Sequence, residues 1–252
     1  MRIVFASLGS LGDLHPLLAL AGACREAGHD VLLASSEFYR TYVESLGYEF
    51  AAIRPDLRPD AVLLGRLSHP RLGPERLMKE QIFPACRDTY GDLTAACQRA
   101  DVLVVGELLY VAPLVAKACG IPWANAILSP SSFLSAEDPC VLAPAKWVHQ
   151  LRRLGTWPHR LIFHYARWET ARWARPLARL RKELGLAKGS NPIFEAKHSP
   201  DLVLTLFPEF FAAPQSDWPK AVVQTGFPYF QQPGDPAVSA RLGEFFAAGP
   251  AP

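Results

Sequence analysis

No stretch of this 252-residue chain reaches the roughly 18 uninterrupted apolar residues that a membrane-spanning helix needs. The N-terminus, MRIVFASLGSLGD, has an apolar run too short for the core of a secretion signal and reads as a first β-strand. Together these absences lead us to expect a cytoplasmic protein. Charge of one sign is also missing. The formal net charge is +2, which leaves no chain-wide signal for binding nucleic acid. Cysteine is sparse and unpatterned. Cys24, Cys86, Cys97, Cys119 and Cys140 form no CxxC pair and share no zinc-type spacing with histidine, so we expect reduced, small apolar side chains. His29, His69, His149, His159, His164 and His198 show no metal-ligand spacing either, and are read as structural or surface residues.

What the chain has is a large apolar fraction, half of all residues, arranged as short runs between helical patterns. Strand-like segments are expected at 2–7, 30–35, 48–53, 101–106, 122–128, 201–207 and 221–226. Helical patterns fall at 15–28, 37–47, within 74–98, and at 111–120, with a looser stretch rich in Pro, Arg and Leu at 54–72. Continuous apolar strands separated by helices imply an α/β fold, a Rossmann-like parallel sheet sandwiched by helices and buried on both faces. In such sheets ligands bind beyond the carboxyl ends of the strands.

Residues 149–186 differ from the rest. They carry nine Arg or Lys against two Glu, while the remainder carries 17 basic and 22 acidic residues. Pro158 and Pro176 limit how continuous a helix can be there. The favoured reading is a helical cover over a cleft, its arginines snorkelling from buried stems. The alternative is peripheral contact with an anionic membrane at its inner face. Residues 1–226 are expected to form one domain, and 227–252 a linker or tail with one short helix at 237–247.

The stretch FASLGSLGDLHPLLAL, residues 5–20, carries the chemistry. A dinucleotide-binding turn needs a third glycine, absent after Gly9-x-x-Gly12, and an acidic residue at the end of strand two, where Glu37 lies slightly too far on. Nicotinamide-dependent oxidoreduction is therefore disfavoured. A second reading is structural, with Asp13 as the N-cap of a helix starting near Leu14 and Pro16 in its first turn. A third makes Asp13 a general base at the mouth of the sheet, beside helix-terminal amides suited to a diphosphate.

The stretch GSLGDLHPLLALAGACREAGHDV resembles the first loop and helix of nucleotide-sugar-dependent glycosyltransferases of the GT-B type, the group often called the glycosyltransferase family 28 N-terminal domain. IPWANAILSPSSFLSA, KHSPDLVLTLFPEFFAAPQSDWP and VVQTGFPYF resemble later segments of the same domain, most of all in the rhamnosyltransferases of rhamnolipid synthesis. The resemblance implies the acceptor-binding half of an inverting glycosyltransferase. In it Asp13 is the base, and Ser10, Leu11 and Gly12 offer amides near the donor diphosphate. His15, Glu107, Ser129, Ser131, Ser132 and Phe133 line the site of an apolar acceptor, a lipid or polyketide-like hydroxyl compound. The nucleotide-sugar is a substrate, no cofactor or metal is expected, and a second, donor-binding domain is expected to complete the enzyme. The competing reading is a non-catalytic module that binds a lipid or partner.

Overall fold

The seven short apolar runs all form strands of one parallel sheet. The computed structural model describes residues 1–249 apart from Arg71, Leu142 and 232–235. The strands are β1 (Arg2–Ala6), β2 (Asp30–Ser35), β3 (Glu49–Ala52), β4 (Val102–Val105), β5 (Trp123–Ile127), β6 (Leu202–Thr205) and β7 (Val222–Gln224), in the spatial order β3-β2-β1-β4-β5-β6-β7. Every neighbouring pair is parallel. The helices are α1 (Leu11–Glu26), α2 (Arg40–Ser45), α3 (Ala61–Leu67), α4 (Gly73–Arg76), α5 (Cys86–Ala96), α6 (Ala112–Cys119), α7 (Trp157–Trp173), α8 (Arg175–Glu183) and α9 (Pro236–Ala247).

The two-residue period of a strand sends alternate side chains to opposite faces, and both faces are covered. Val4, Ala6, Leu32, Leu103 and Val105 pack with Leu93 of α5, Leu114 of α6 and Leu177 of α8. Phe5, Val31, Leu33 and Val104 pack with Leu17 and Leu18 of α1 and Val43 of α2. The chain leaves β1 toward β2 on one side and reaches β4 on the other. The crevice at that reversal is where an open α/β sheet places its ligand.

Two expectations need correction, the start of the first helix and the continuity of the helix within 74–98, and two others gain detail. Helix α1 begins at Leu11, one turn earlier than expected, and its N-cap is Ser10 rather than Asp13. Pro16 consequently lies inside the helix and not in its first turn. Having no N–H, it leaves the Gly12 carbonyl without the usual intrahelical donor. The stretch 54–72 is not all loop, because Asp60 caps α3 by accepting the Leu63 N–H at 2.7 Å. The helix expected within 74–98 is divided. α4 runs on as a π-helical turn over Leu77–Ile82, and Pro84 separates that turn from α5. The basic region also comes in pieces: a 3₁₀ stretch at Ala143–Leu154, then α7 and α8, with breaks at Gly155 and Ala174. In the tail, Phe230 packs back against α1's layer, while 232–235 and 250–252 lie outside the described residues.

Candidate active site

The loop after β1 is built by reciprocal hydrogen bonds. Ser10 Oγ accepts the Gly12 N–H at 3.2 Å, and Asp13 Oδ2 accepts the Ser10 N–H at 2.7 Å and lies 3.1 Å from Ser10 Oγ. This is a capping box with aspartate in the place usually held by glutamate. Gly9 adopts φ +129°, a conformation that side-chain-bearing residues rarely take. Tyr39 donates its phenol to the Gly9 carbonyl at 3.2 Å. Burial, and then the nearby charge of Asp13, push that phenol's pKa up.

The capping box uses only one carboxylate oxygen. Asp13 Oδ1 takes no hydrogen bond among the described residues. Of the three amides expected to face a diphosphate, those of Ser10 and Gly12 are committed inside the loop, and Leu11 N–H has no partner among the described residues.

Asp13 lines a cavity of about 450 Å³ at the carboxyl ends of the strands. Gly9 and Ser10 flank it on one side, and Glu107, Leu128, Ser129 and Ser132 on another. Leu57, Leu63, Leu64, Leu67 and Leu77 form an apolar wall. That wall escaped the sequence reading. A usable signal was present: Leu63, Leu64 and Leu67 follow a capping Asp60 at i, i+1 and i+4 spacing, one face of a helix.

Glu107 ties β4 to the loop after β5. Its Oε1 accepts the Leu128 N–H at 2.9 Å and its Oε2 accepts the Ser132 hydroxyl. Lys197 donates to the Ser132 carbonyl at 2.6 Å. The Lys197 side chain is partly buried. That burial lowers its pKa, and the charge of Glu107 pulls the other way. Lys197 was not picked out from the sequence, and no linear signal marks it. It meets Glu107 only through the neighbouring positions of β4, β5 and β6.

Three candidate residues fall elsewhere. His15 stands two positions from Asp13 on α1, about 200° around the helix, so the two cannot share a face. Its Nε2 is 3.0 Å from the Tyr42 hydroxyl and its ring is 4.8 Å from that of Phe230. Burial lowers its pKa. Ser131 is exposed and bonds Ser129 Oγ at 2.9 Å, outside the cavity lining. Phe133 is buried, stacked on Trp218 at 4.3 Å between centroids, and supports the loop from behind.

Glu37, weighed as a ribose ligand, is paired with Arg40 at 2.7 Å. All five cysteines are free thiols, and burial raises Cys86 to about 11 and Cys97 to about 12, so neither is a reactive thiolate. Among the described residues no three His, Cys, Asp or Glu side chains group as metal ligands. No helix of the described residues is long and apolar enough to cross a membrane.

No family model matches the chain. It is 29% identical over 268 residues to O-mycaminosyltylonolide 6-deoxyallosyltransferase of Streptomyces fradiae, covering 100% of this chain and 60% of that protein. It is 32% identical over 134 residues to a sterol 3-beta-glucosyltransferase of Arabidopsis thaliana, covering 48% of this chain and 21% of that protein. The chain thus spans less than two thirds of the length of these curated relatives. Among solved structures, it matches spinosyn rhamnosyltransferase SpnG complexed with thymidine diphosphate with a TM-score of 0.55 at 18% identity, over 95% of this chain and 54% of that one. Its relatives are glycosyltransferases, and its parallel sheet is the N-terminal, Rossmann-like half of the GT-B fold.

Proposed function

We propose that this chain is the acceptor-binding half of an inverting glycosyltransferase, with Asp13 as the general base. The observation that carries the reading is the cavity that Asp13 lines together with five leucines. A hydroxyl on an apolar scaffold fits such a site, with hydrocarbon against the leucines and oxygen toward the carboxylate. The two relatives described above are named for a macrolide and a sterol acceptor, which supports an apolar acceptor here.

In the reaction the acceptor O–H gives its proton to Asp13 Oδ1. The acceptor oxygen forms a bond to the anomeric carbon, and the bond from that carbon to the diphosphate oxygen breaks. Its electron pair leaves on the nucleoside diphosphate from the opposite face, so the configuration inverts. The transition state is oxocarbenium-like, as in glycoside cleavage. A positioned base contributes roughly 10²–10⁴-fold. The Ser10 bonds to Oδ2 hold the carboxylate still, which lowers the reorganisation that proton transfer requires. The donor is a nucleotide-diphosphate sugar, a reading supported by the thymidine diphosphate in the solved neighbour. A donor-binding domain outside this sequence would hold most of it.

Among the described residues none of 149–186 lines the Asp13 cavity, so the region is read not as a cover over it but as a membrane contact. On α7, Trp157, Leu161, Tyr165 and Trp168 are all more than half exposed and recur at i, i+4, i+8 and i+11. Flanking arginines would sit at anionic headgroups while this stripe enters the interface, bringing the cleft to a lipid-dissolved acceptor.

The test is sugar transfer by two proteins, this chain and a version extended through the downstream reading frame. Each is given a panel of nucleotide-sugars with a hydroxy-fatty acid, a sterol or a macrolactone. Transfer by the extended protein that collapses in Asp13→Asn supports the proposal. Unchanged turnover in Asp13→Asn removes the base. Silence from both proteins, with a lipid still bound, favours the non-catalytic module.

A further inference from the structure

A second pocket, of about 480 Å³, lies between α6, the α7–α8 junction and the loop after α8, and among the described residues shares no lining residue with the Asp13 cavity. Its walls are hydrocarbon: Leu114 of α6, Ala171 and Ala174 where α7 ends, Leu177 and Ala178 of α8, and Leu186. The alanines make the space, since larger side chains at these helical positions would close it. A pocket of this size and lining falls in the range of small-ligand sites.

The loop over it is fastened. Asn191 Nδ2 donates to the Arg167 carbonyl at 2.8 Å and to Thr170 Oγ1 at 3.0 Å, and Asn191 Oδ1 accepts the Ile193 N–H at 2.9 Å. Arg181 donates from Nε and Nη2 to the Ala187 carbonyl at 3.2 and 3.0 Å. The pocket is therefore formed before any ligand arrives.

The rim carries one sign of charge. Arg167, Arg181, Lys182 and Lys188 line the pocket, and among the described residues no Asp or Glu does. Arg167 is neutralised by Glu195, but Lys182 and Lys188 make no ion pair among the described residues. Apolar walls with an unneutralised cationic rim are complementary to a single aliphatic chain ending in an anion. We infer that this pocket binds an anionic amphiphile, a fatty carboxylate, with its tail along the alanines and its carboxylate at Lys182 and Lys188. The inference does not depend on the proposed glycosyl transfer.

The test is calorimetric titration with dodecanoate below its micelle concentration, with dodecanol and dodecylammonium as neutral and cationic probes. Saturable one-to-one binding of dodecanoate is expected, with dodecylammonium excluded. Lys182→Glu combined with Lys188→Glu should weaken dodecanoate at least about tenfold while sparing dodecanol. Ala178→Trp should abolish dodecanoate binding. Where Ala178→Trp unfolds, Ala171→Leu serves as the filling variant, its fold checked by circular dichroism. Leu64→Trp, which obstructs the Asp13 cavity instead, should leave dodecanoate binding unchanged. The inference is overturned if the wild-type chain takes up no dodecanoate, if a folded filling variant binds as well as wild type, if the charge reversal has no effect, or if Leu64→Trp removes the binding.

Discussion

The Asp13 carboxylate occupies the space that a side chain on Gly9 would need. A Cβ added at Gly9 would lie 2.3 Å from Asp13 Oδ2, closer than real Cβ contacts allow, and Gly9 already holds φ +129°. The glycine and the aspartate are thus one unit, in which the missing side chain lets the carboxylate fold back on the Ser10 amide.

Gly9→Ala should therefore damage both the loop and the site. Strain of about 1–3 kcal/mol is expected from the backbone conformation alone, and the carboxylate must leave its place as well. Chemical denaturation should report the stability loss, and transfer by the extended enzyme should fall with it.

Asp13→Asn separates capping from catalysis. The amide oxygen can still accept the Ser10 N–H, so the melting temperature should move little. Turnover should drop roughly 10²–10⁴-fold because an amide cannot take the acceptor proton. Ser10→Ala is the converse, costing about 1 kcal/mol of stability through the lost cap while leaving a carboxylate in the cavity. Equal effects of the two variants on kcat would count against the base assignment.

The leucine wall predicts a split between binding and chemistry. Leu64 is 46% exposed, so Leu64→Ser should fold normally. With an apolar acceptor its KM should rise about tenfold, the scale expected for lost apolar contact in a specificity pocket. The KM for the nucleotide-sugar should not change. Initial-rate kinetics at varied acceptor and donor decide it.

His198 predicts an acid-sensitive fold. Its ring lies 5.4 Å from that of Phe133, its Nδ1 is buried without a partner among the described residues, and burial, aided by the charge of Lys197, lowers its pKa from 6.5 to about 3. Between those values the unfolded chain binds the proton and the folded chain does not, so stability rises with pH across that window and falls on acidification. His198→Phe should flatten this limb between about pH 3 and 6.5 in denaturant titrations. An unchanged profile would mean that other groups carry it.

The aromatic stripe on α7 predicts flotation with vesicles containing anionic lipid. Replacing Trp157, Tyr165 and Trp168 with serine should abolish it, as should high salt in part. Equal flotation with neutral vesicles would argue against an electrostatic contribution.

The strand runs, the α/β class and the chemistry-bearing loop were legible because they depend on residues close in sequence. Seven apolar runs between helical patterns specify a parallel sheet by elementary periodicity, and Gly9-Ser10-Leu11-Gly12-Asp13 announces a tight turn before a helix. Legibility ended where a local signal had two physical solutions. Asp13 can cap a helix from the N-cap or reach back from the third position. The side chain of Ser10 decided for the second, moving the helix start by a turn and Pro16 into the interior. His15 looked like a partner of Asp13 in a linear string, yet a helix starting at Leu11 turns the two apart, toward Tyr42 on one side and the cavity on the other.

The sequence by itself thus determined the elements, their order and the presence of a carboxylate beyond the first strand, since hydrogen-bonded turns and side-chain periodicity act over a few residues. Only the tertiary structure decided what stands opposite that carboxylate. The order β3-β2-β1-β4-β5-β6-β7 brings the ends of β1, β4 and β5 together, so Asp13, Glu107 and Ser132 meet across loops far apart in the chain. It also lays the α3 leucines over the opening and seats Lys197 beneath Ser132. Those contacts arise from burying both faces of one sheet, a condition on the whole chain at once that no local stretch of residues records.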